Sequence, residues 1–118
     1  AEALDIWQIA AELARLGAAA KAGKAAKDEL SGSTITITSL GAIGGLVTTP
    51  ILNAPEVAII GVNKMQTLPR YNAEGSVVPR KLMNLSSCFD HRIVDGYDAA
   101  MLIQRVKGLL ENPATLFM

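Results

Sequence analysis

The chain has 118 residues, of which 50% are hydrophobic and 19% charged, and its eleven basic side chains balance eleven acidic ones. That length allows one small domain, and the apolar content excludes a disordered chain, which would be poor in core-forming residues and high in net charge. With no net charge and only one basic cluster, Lys21, Lys24 and Lys27, there is no positive field to gather phosphate backbones, so nucleic acid is not expected as a partner.

The longest apolar run, Val57 to Val62, is far too short for a membrane helix, and the N-terminus lacks the layout of a signal peptide. The expectation is a soluble protein without a membrane partner. A single cysteine, Cys88, excludes an internal disulfide framework and a multi-cysteine metal site, which fits a reducing compartment.

In chain order, "LDIWQIAAELARLGAAAKAGK" places Ile6, Ile9, Leu13, Leu16 and Ala20 at spacings of three and four, the stripe of an amphipathic helix over residues 4–22. Gly23 and its neighbouring lysines suit the helix end. The period then changes to two in "SGSTITITSL". Thr34, Thr36 and Thr38 point one way, and Ile35, Ile37 and Ser39 the other, so Ser39 is expected on the apolar face. A hydroxyl there needs a partner, because an unpaired buried hydroxyl costs roughly 1–3 kcal/mol; a nearby carbonyl is its ordinary one.

"GAIGGLVTTPILNAP" is a glycine- and proline-rich connection whose backbone needs positive φ angles or close approach to another segment. It lacks the Lys-Ser/Thr of a P-loop and the Gly-x-Gly-x-x-Gly spacing, so nucleotide-phosphate binding is set aside. "EVAIIGVNK" is a continuous apolar run, the pattern of a strand buried on both faces in mid-sheet. A hairpin follows: a strand over residues 67–71, a turn at "NAEG", and a return strand from Pro79 to Phe89. On the return, Leu82, Asn84, Ser86 and Cys88 share one face, a row that leads to Asp90 and His91.

"DGYDAAMLIQRVKGLLENP" closes the sequence as a helix with Ala99, Leu102, Ile103, Val106 and Leu110 on one stripe, Asp95 as N-cap and Pro113 beyond its end. The only histidine, His91, lies four residues before Asp95. Taken alone, such a histidine beside strand and helix ends is more often a hydrogen-bonded structural residue than a catalyst. One histidine is too few for zinc or non-haem iron, so no metal is expected. Cys88 reads as a small buried hydrophobe rather than a nucleophile.

Ser39-Leu40-Gly41, Gly44-Gly45, Pro50, "APEVAI" and "DHRIVDG" occur in that order. Together they make the chain resemble the C-terminal part of the catalytic domain of dihydrolipoamide acyltransferases, the core-forming components of 2-oxo-acid dehydrogenase complexes. "NLSSCFDHRIVDGYDAA" and "SGSTITITSLGAIGG" look most like bacterial branched-chain members, with the pyruvate and 2-oxoglutarate types as alternatives. The resemblance implies an α/β (α+β) fold like that of chloramphenicol acetyltransferase, a mixed sheet with helices packed on it. Residues 1–118 would be the C-terminal portion of that core domain, with the lipoyl and peripheral subunit-binding domains absent.

It also implies an enzyme that transfers an acyl group, such as isobutyryl, from acyl-dihydrolipoamide to coenzyme A. A non-catalytic assembly fragment and an acetyl-transferring, pyruvate-type enzyme are the alternatives. His91 matches the family's general base, Ser39 the serine that stabilises the oxyanion, and Asp95 a supporting position. Coenzyme A enters as substrate, the lipoyl group rides on another domain, and coenzyme A contacts are not assigned to residues. A homotrimer is implied, with sites between subunits, assembling into a cubic or dodecahedral core that holds decarboxylase and dihydrolipoamide dehydrogenase components. The expected location is the bacterial cytoplasm, or the mitochondrial matrix in a eukaryote.

Overall fold

The structure, a computed structural model, describes residue 1 and residues 3–118, the side chain of Ala42 excepted. The chain divides into two compact units, Ala1–Ser33 and Thr34–Met118. The first holds helix α1 (Ile6–Lys21), opened by a reciprocal cap: Gln8 N–H donates to the Asp5 carboxylate and the Asp5 N–H donates to Gln8 Oε1. It stops where Gly23 turns to φ +66°, letting Gly23 N–H reach the Ala20 carbonyl and Lys24 N–H reach that of Ala19. The predicted stripe is only partly covered, since Ile9 and Leu16 are half-buried while Ile6 and Leu13 are exposed. Arg15 bridges Glu12 and Glu29 within the unit, and these bonds hold both carboxyls below the ordinary carboxylate range; for Glu29 the Ala26 N–H contributes most.

The second unit holds strands β1 (Thr36–Ser39), β2 (Ala58–Val62), β3 (Gln66–Tyr71), β4 (Val77–Leu82) and β5 (Leu85–Phe89), then helix α2 (Gly96–Glu111). β2 is the centre of a mixed three-stranded sheet, parallel to β1 and antiparallel to β5. As the continuous apolar run predicts, Ala58, Ile59 and Ile60 are the buried hydrophobic residues among those described. Burying an isoleucine side chain is worth about 2 kcal/mol, so this one strand anchors the unit.

The hairpin forms at the predicted turn, where Asn72 Oδ1 accepts from the N–H groups of Glu74 and Ser76, and Gly75 adopts φ +82°. Its return strand differs from expectation, because it is two strands rather than one. β4 pairs with β3 in a separate sheet, and after Met83 and Asn84 the chain changes partner, so that β5 pairs with β2. α2 contacts β5 and starts at the predicted cap: Asp95 accepts from Asp98 N–H at 2.9 Å. Its covered side is Ala99, Ile103, Val106 and Leu109, with Leu102 and Leu110 exposed.

Gly61, in the middle of β2, has no room for a side chain: a Cβ there would stand 2.6 Å from Thr48 Oγ1. Gly61→Ala is expected to destabilise the full-length protein by about 1–3 kcal/mol, the usual range for overpacking. Thr48→Ala should recover part of the loss, because it removes the atom in the way. Thermal unfolding of the single and double variants checks this, and an unchanged midpoint for Gly61→Ala would refute it.

Candidate active site

Ser39 is the last residue of β1 and pairs with Val62. The sequence reading placed it on a buried apolar face, and the structure corrects this. Thr36 and Thr38 are the half-buried side of β1, whereas Ile37 is 71% exposed and Ser39 is exposed with it. Alternation fixes which residues share a face, not which face turns inward. Here the threonine side finds a partner inside: Thr36 Oγ1 donates to the buried Glu56 carboxylate, whose other oxygen accepts from Asn53 Nδ2 at 3.1 Å.

The partner of Ser39 is local. Gly41 N–H donates to Ser39 Oγ at 3.1 Å, from a backbone at φ +57° that glycine adopts without strain. With its oxygen receiving that bond, Ser39 keeps its own proton to give outward. Beside it lies a cleft of about 210 Å³, walled by Ser39, Leu40, Gly44, Pro50, Val62 and Asn63.

His91 follows β5, in a turn tied to the sheet by Asp90 N–H donating to the Val57 carbonyl at 2.9 Å. The turn is closed from within. The Asp90 carbonyl accepts from the N–H groups of Ile93 and Val94, and its carboxylate accepts from Arg92 Nη2 at 2.6 Å, Nε at 2.9 Å and the Arg92 N–H at 3.0 Å. The Arg92 guanidinium, then its N–H, hold the Asp90 carboxyl down to about 2, so it stays ionised through the neutral range. His91 is exposed on this turn, and no described residue of the chain hydrogen-bonds its imidazole. Asp95 closes the same turn as the α2 cap. His91 and Asp95 thus stand together at one end of the sheet.

Ser39 stands at the other end. It is level with Val62, the last residue of β2, whereas Phe89 is level with Ala58, the first, and His91 lies two residues further on. At about 3.3 Å per residue along a strand and about 4.8 Å between strands, the Ser39 and Phe89 backbones are on the order of 15 Å apart, and His91 follows Phe89 on the side away from Ser39. No single thioester spans that gap.

Sequence reasoning picked out Asn84 and Ser86 as part of a polar row but missed the cluster they form with Asn63 and Thr48 behind the Ser39 cleft. Asn63, 5% exposed, donates from Nδ2 to the Asn84 carbonyl and to Ser86 Oγ, and Ser86 Oγ also accepts from Thr48 N–H. The available signal was the asparagine that ends the apolar run "VAIIGVN", which reads as a strand simply stopping.

The mixed sheet has known counterparts. The family described as 2-oxoacid dehydrogenases acyltransferase (catalytic domain) matches residues 1–118, and the chain belongs to that family. It is 60% identical over its whole length to the lipoamide acyltransferase component of the branched-chain alpha-keto acid dehydrogenase complex of Pseudomonas aeruginosa, and spans 27% of that protein. A succinyltransferase component of the 2-oxoglutarate dehydrogenase complex from Azotobacter vinelandii is 39% identical over the whole chain, which covers 29% of it. The chain therefore spans little more than a quarter of the length of these curated relatives.

Among solved structures, Azotobacter vinelandii dihydrolipoamide acetyltransferase superposes with a TM-score of 0.91 at 40% identity, covering 98% of this chain and 47% of that one. The cubic core of a pyruvate dehydrogenase multienzyme complex superposes equally well, at 39% identity and the same coverage. The fold is that of these catalytic cores. The Azotobacter structure was determined to investigate a serine, a histidine and an asparagine in the catalytic mechanism, spaced by 52 and 4 residues. Ser39, His91 and Asp95 have the same spacing, with aspartate where that enzyme has asparagine.

Proposed function

We propose that the protein to which this chain belongs transfers an acyl group from acyl-dihydrolipoamide to coenzyme A, and that residues 1–118 are the C-terminal portion of its catalytic domain. The observation that carries this reading is the serine, histidine and acid at spacings of 52 and 4 in a chain that superposes on an acetyltransferase. Coenzyme A and the lipoyl arm are substrates. The cleft beside Ser39 has room for the thioester end of such an arm.

In the proposed reaction His91 takes the proton of the coenzyme A thiol, whose pKa of about 8.5 lies within reach of an imidazole base. The sulfur attacks the thioester carbonyl. A new carbon–sulfur bond forms, and the carbonyl electrons move to oxygen, where Ser39 donates its outward proton as a hydrogen bond. Collapse breaks the bond to the dihydrolipoamide sulfur, which recovers the proton from His91. Asp95 supports the site by holding the His91 turn to the start of α2. Because Ser39 and His91 lie at opposite ends of one sheet, we assign each working pair to two copies of the chain, in a trimer that assembles further into a cubic or dodecahedral core with decarboxylase and dihydrolipoamide dehydrogenase partners.

The 60% identity to two Pseudomonas branched-chain components supports a branched acyl group and a bacterial cytoplasmic setting. The test is turnover by the full-length protein with isobutyryl- and acetyl-dihydrolipoamide, following the coenzyme A thioester formed. Faster isobutyryl transfer is expected. Faster acetyl transfer would assign the pyruvate type, and no transfer of either would overturn the reading.

A further inference from the structure

We infer that Asn63 is a positioning residue for Ser39, acting through Ser86 on the glycine-rich loop that follows β1; the inference rests on the acyl-transfer reading for its kinetic consequence. Ser39 is held by Gly41 N–H, so its orientation depends on where the loop sets that amide. The loop is fastened further along. Leu46 O accepts from Asn84 Nδ2 at 2.9 Å, Gly45 O accepts from Lys64 N–H at 3.1 Å, and Thr48 N–H donates to Ser86 Oγ at 3.1 Å.

Every one of these fastenings lies where β2 ends and β5 begins, and Asn63 joins them. Its N–H and Nδ2 both donate to the Asn84 carbonyl, at 3.2 and 3.0 Å, and Nδ2 also donates to Ser86 Oγ at 2.9 Å. The Asn84 carbonyl can only accept, so the amide nitrogen must face it and Oδ1 must turn away. Ser86 Oγ then receives two donors, one from the strand and one from the loop.

Stability alone does not account for this cluster. Asn63 Oδ1 and Thr48 Oγ1 are buried with no hydrogen-bond partner among the described residues, and such groups are costly where an apolar side chain of similar shape is not. What the cluster supplies is geometry. Its residues Asn63 and Thr48 also wall the cleft at Ser39, so the fastening of the loop adjoins the oxyanion donor.

Two measurements on the full-length protein test this. Ser86→Ala removes the hydroxyl that links strand to loop while leaving Asn63 bonded to Asn84. Asn63→Ala removes the side-chain bonds to the Asn84 carbonyl and to Ser86 Oγ, leaving the backbone N–H of residue 63 and the Thr48 N–H in place. Each should lower kcat on the order of 10- to 100-fold with little change in KM, the penalty for a reacting group displaced by about 1 Å. Combined with Ser39→Ala, neither should slow the enzyme further, since a donor already removed cannot be misplaced. Independently of turnover, Ser86→Ala should speed hydrogen exchange at the Gly41 to Thr48 amides.

Multiplying defects in the double variants, or unchanged exchange in the loop, would overturn the positioning role while leaving acyl transfer standing. A transferase-inactive unsubstituted protein would overturn the functional reading instead, and loop exchange would still decide whether the tie exists. If Asn63→Ala does not fold, Ser86→Ala carries both measurements.

Discussion

His91→Ala in the full-length protein is expected to lower acyl transfer to coenzyme A by roughly 100- to 10,000-fold, the range for removing a general base. Assembly should be untouched. His91 is exposed on a turn that Asp90 holds through its own carbonyl, its carboxylate and the Val57 carbonyl, so deleting the imidazole removes no described bond of the fold. Steady-state turnover, with sedimentation to size the assembly, separates the two effects. Near-normal turnover would end the base assignment, and a collapsed assembly would mean that His91 has a structural task.

The second large effect is a recovery. Ser39→Ala alone should lower kcat by about 100- to 1,000-fold with substrate affinity little changed, because the oxyanion exists only along the reaction path. If each site takes its serine from one subunit and its histidine from a neighbour, mixing Ser39→Ala with His91→Ala chains in equal amounts should revive roughly a quarter of the sites in trimers assembled at random. The strand register motivates this, since Ser39 is level with Val62 and Phe89 with Ala58 at the opposite end of β2. Co-refolding the two variants and assaying the mixture gives the answer. A mixture no more active than its parents would return both groups to one chain.

Much of this was legible in the sequence, for reasons that differ by residue. β2 was plain because a strand covered on both faces must be apolar throughout, and the α2 cap because Asp95 precedes the helical stripe and can accept from Asp98 N–H. The return strand was misread as continuous because side-chain alternation is blind to a change of pairing partner; only Met83 and Asn84 mark the point where β4 leaves β3 and β5 joins β2. Ser39 was found by its place in the family pattern while its face was wrongly assigned, since periodicity cannot say which side of an edge strand is covered. Ser86 stood out as part of a polar row, but its bonds to Asn63 and Thr48 could not be read because they cross 23 and 38 residues of sequence.

The placement of Ser39 and His91 at opposite ends of one sheet also sets how such an enzyme would wear. In a shared site, a chemical lesion at one end of a chain silences the site that end serves and spares the different site served by the other end. A chain then fails by halves. As lesions accumulate in an ageing assembly, capacity falls with the number of injured ends, and a core with several injured chains keeps working at its remaining sites.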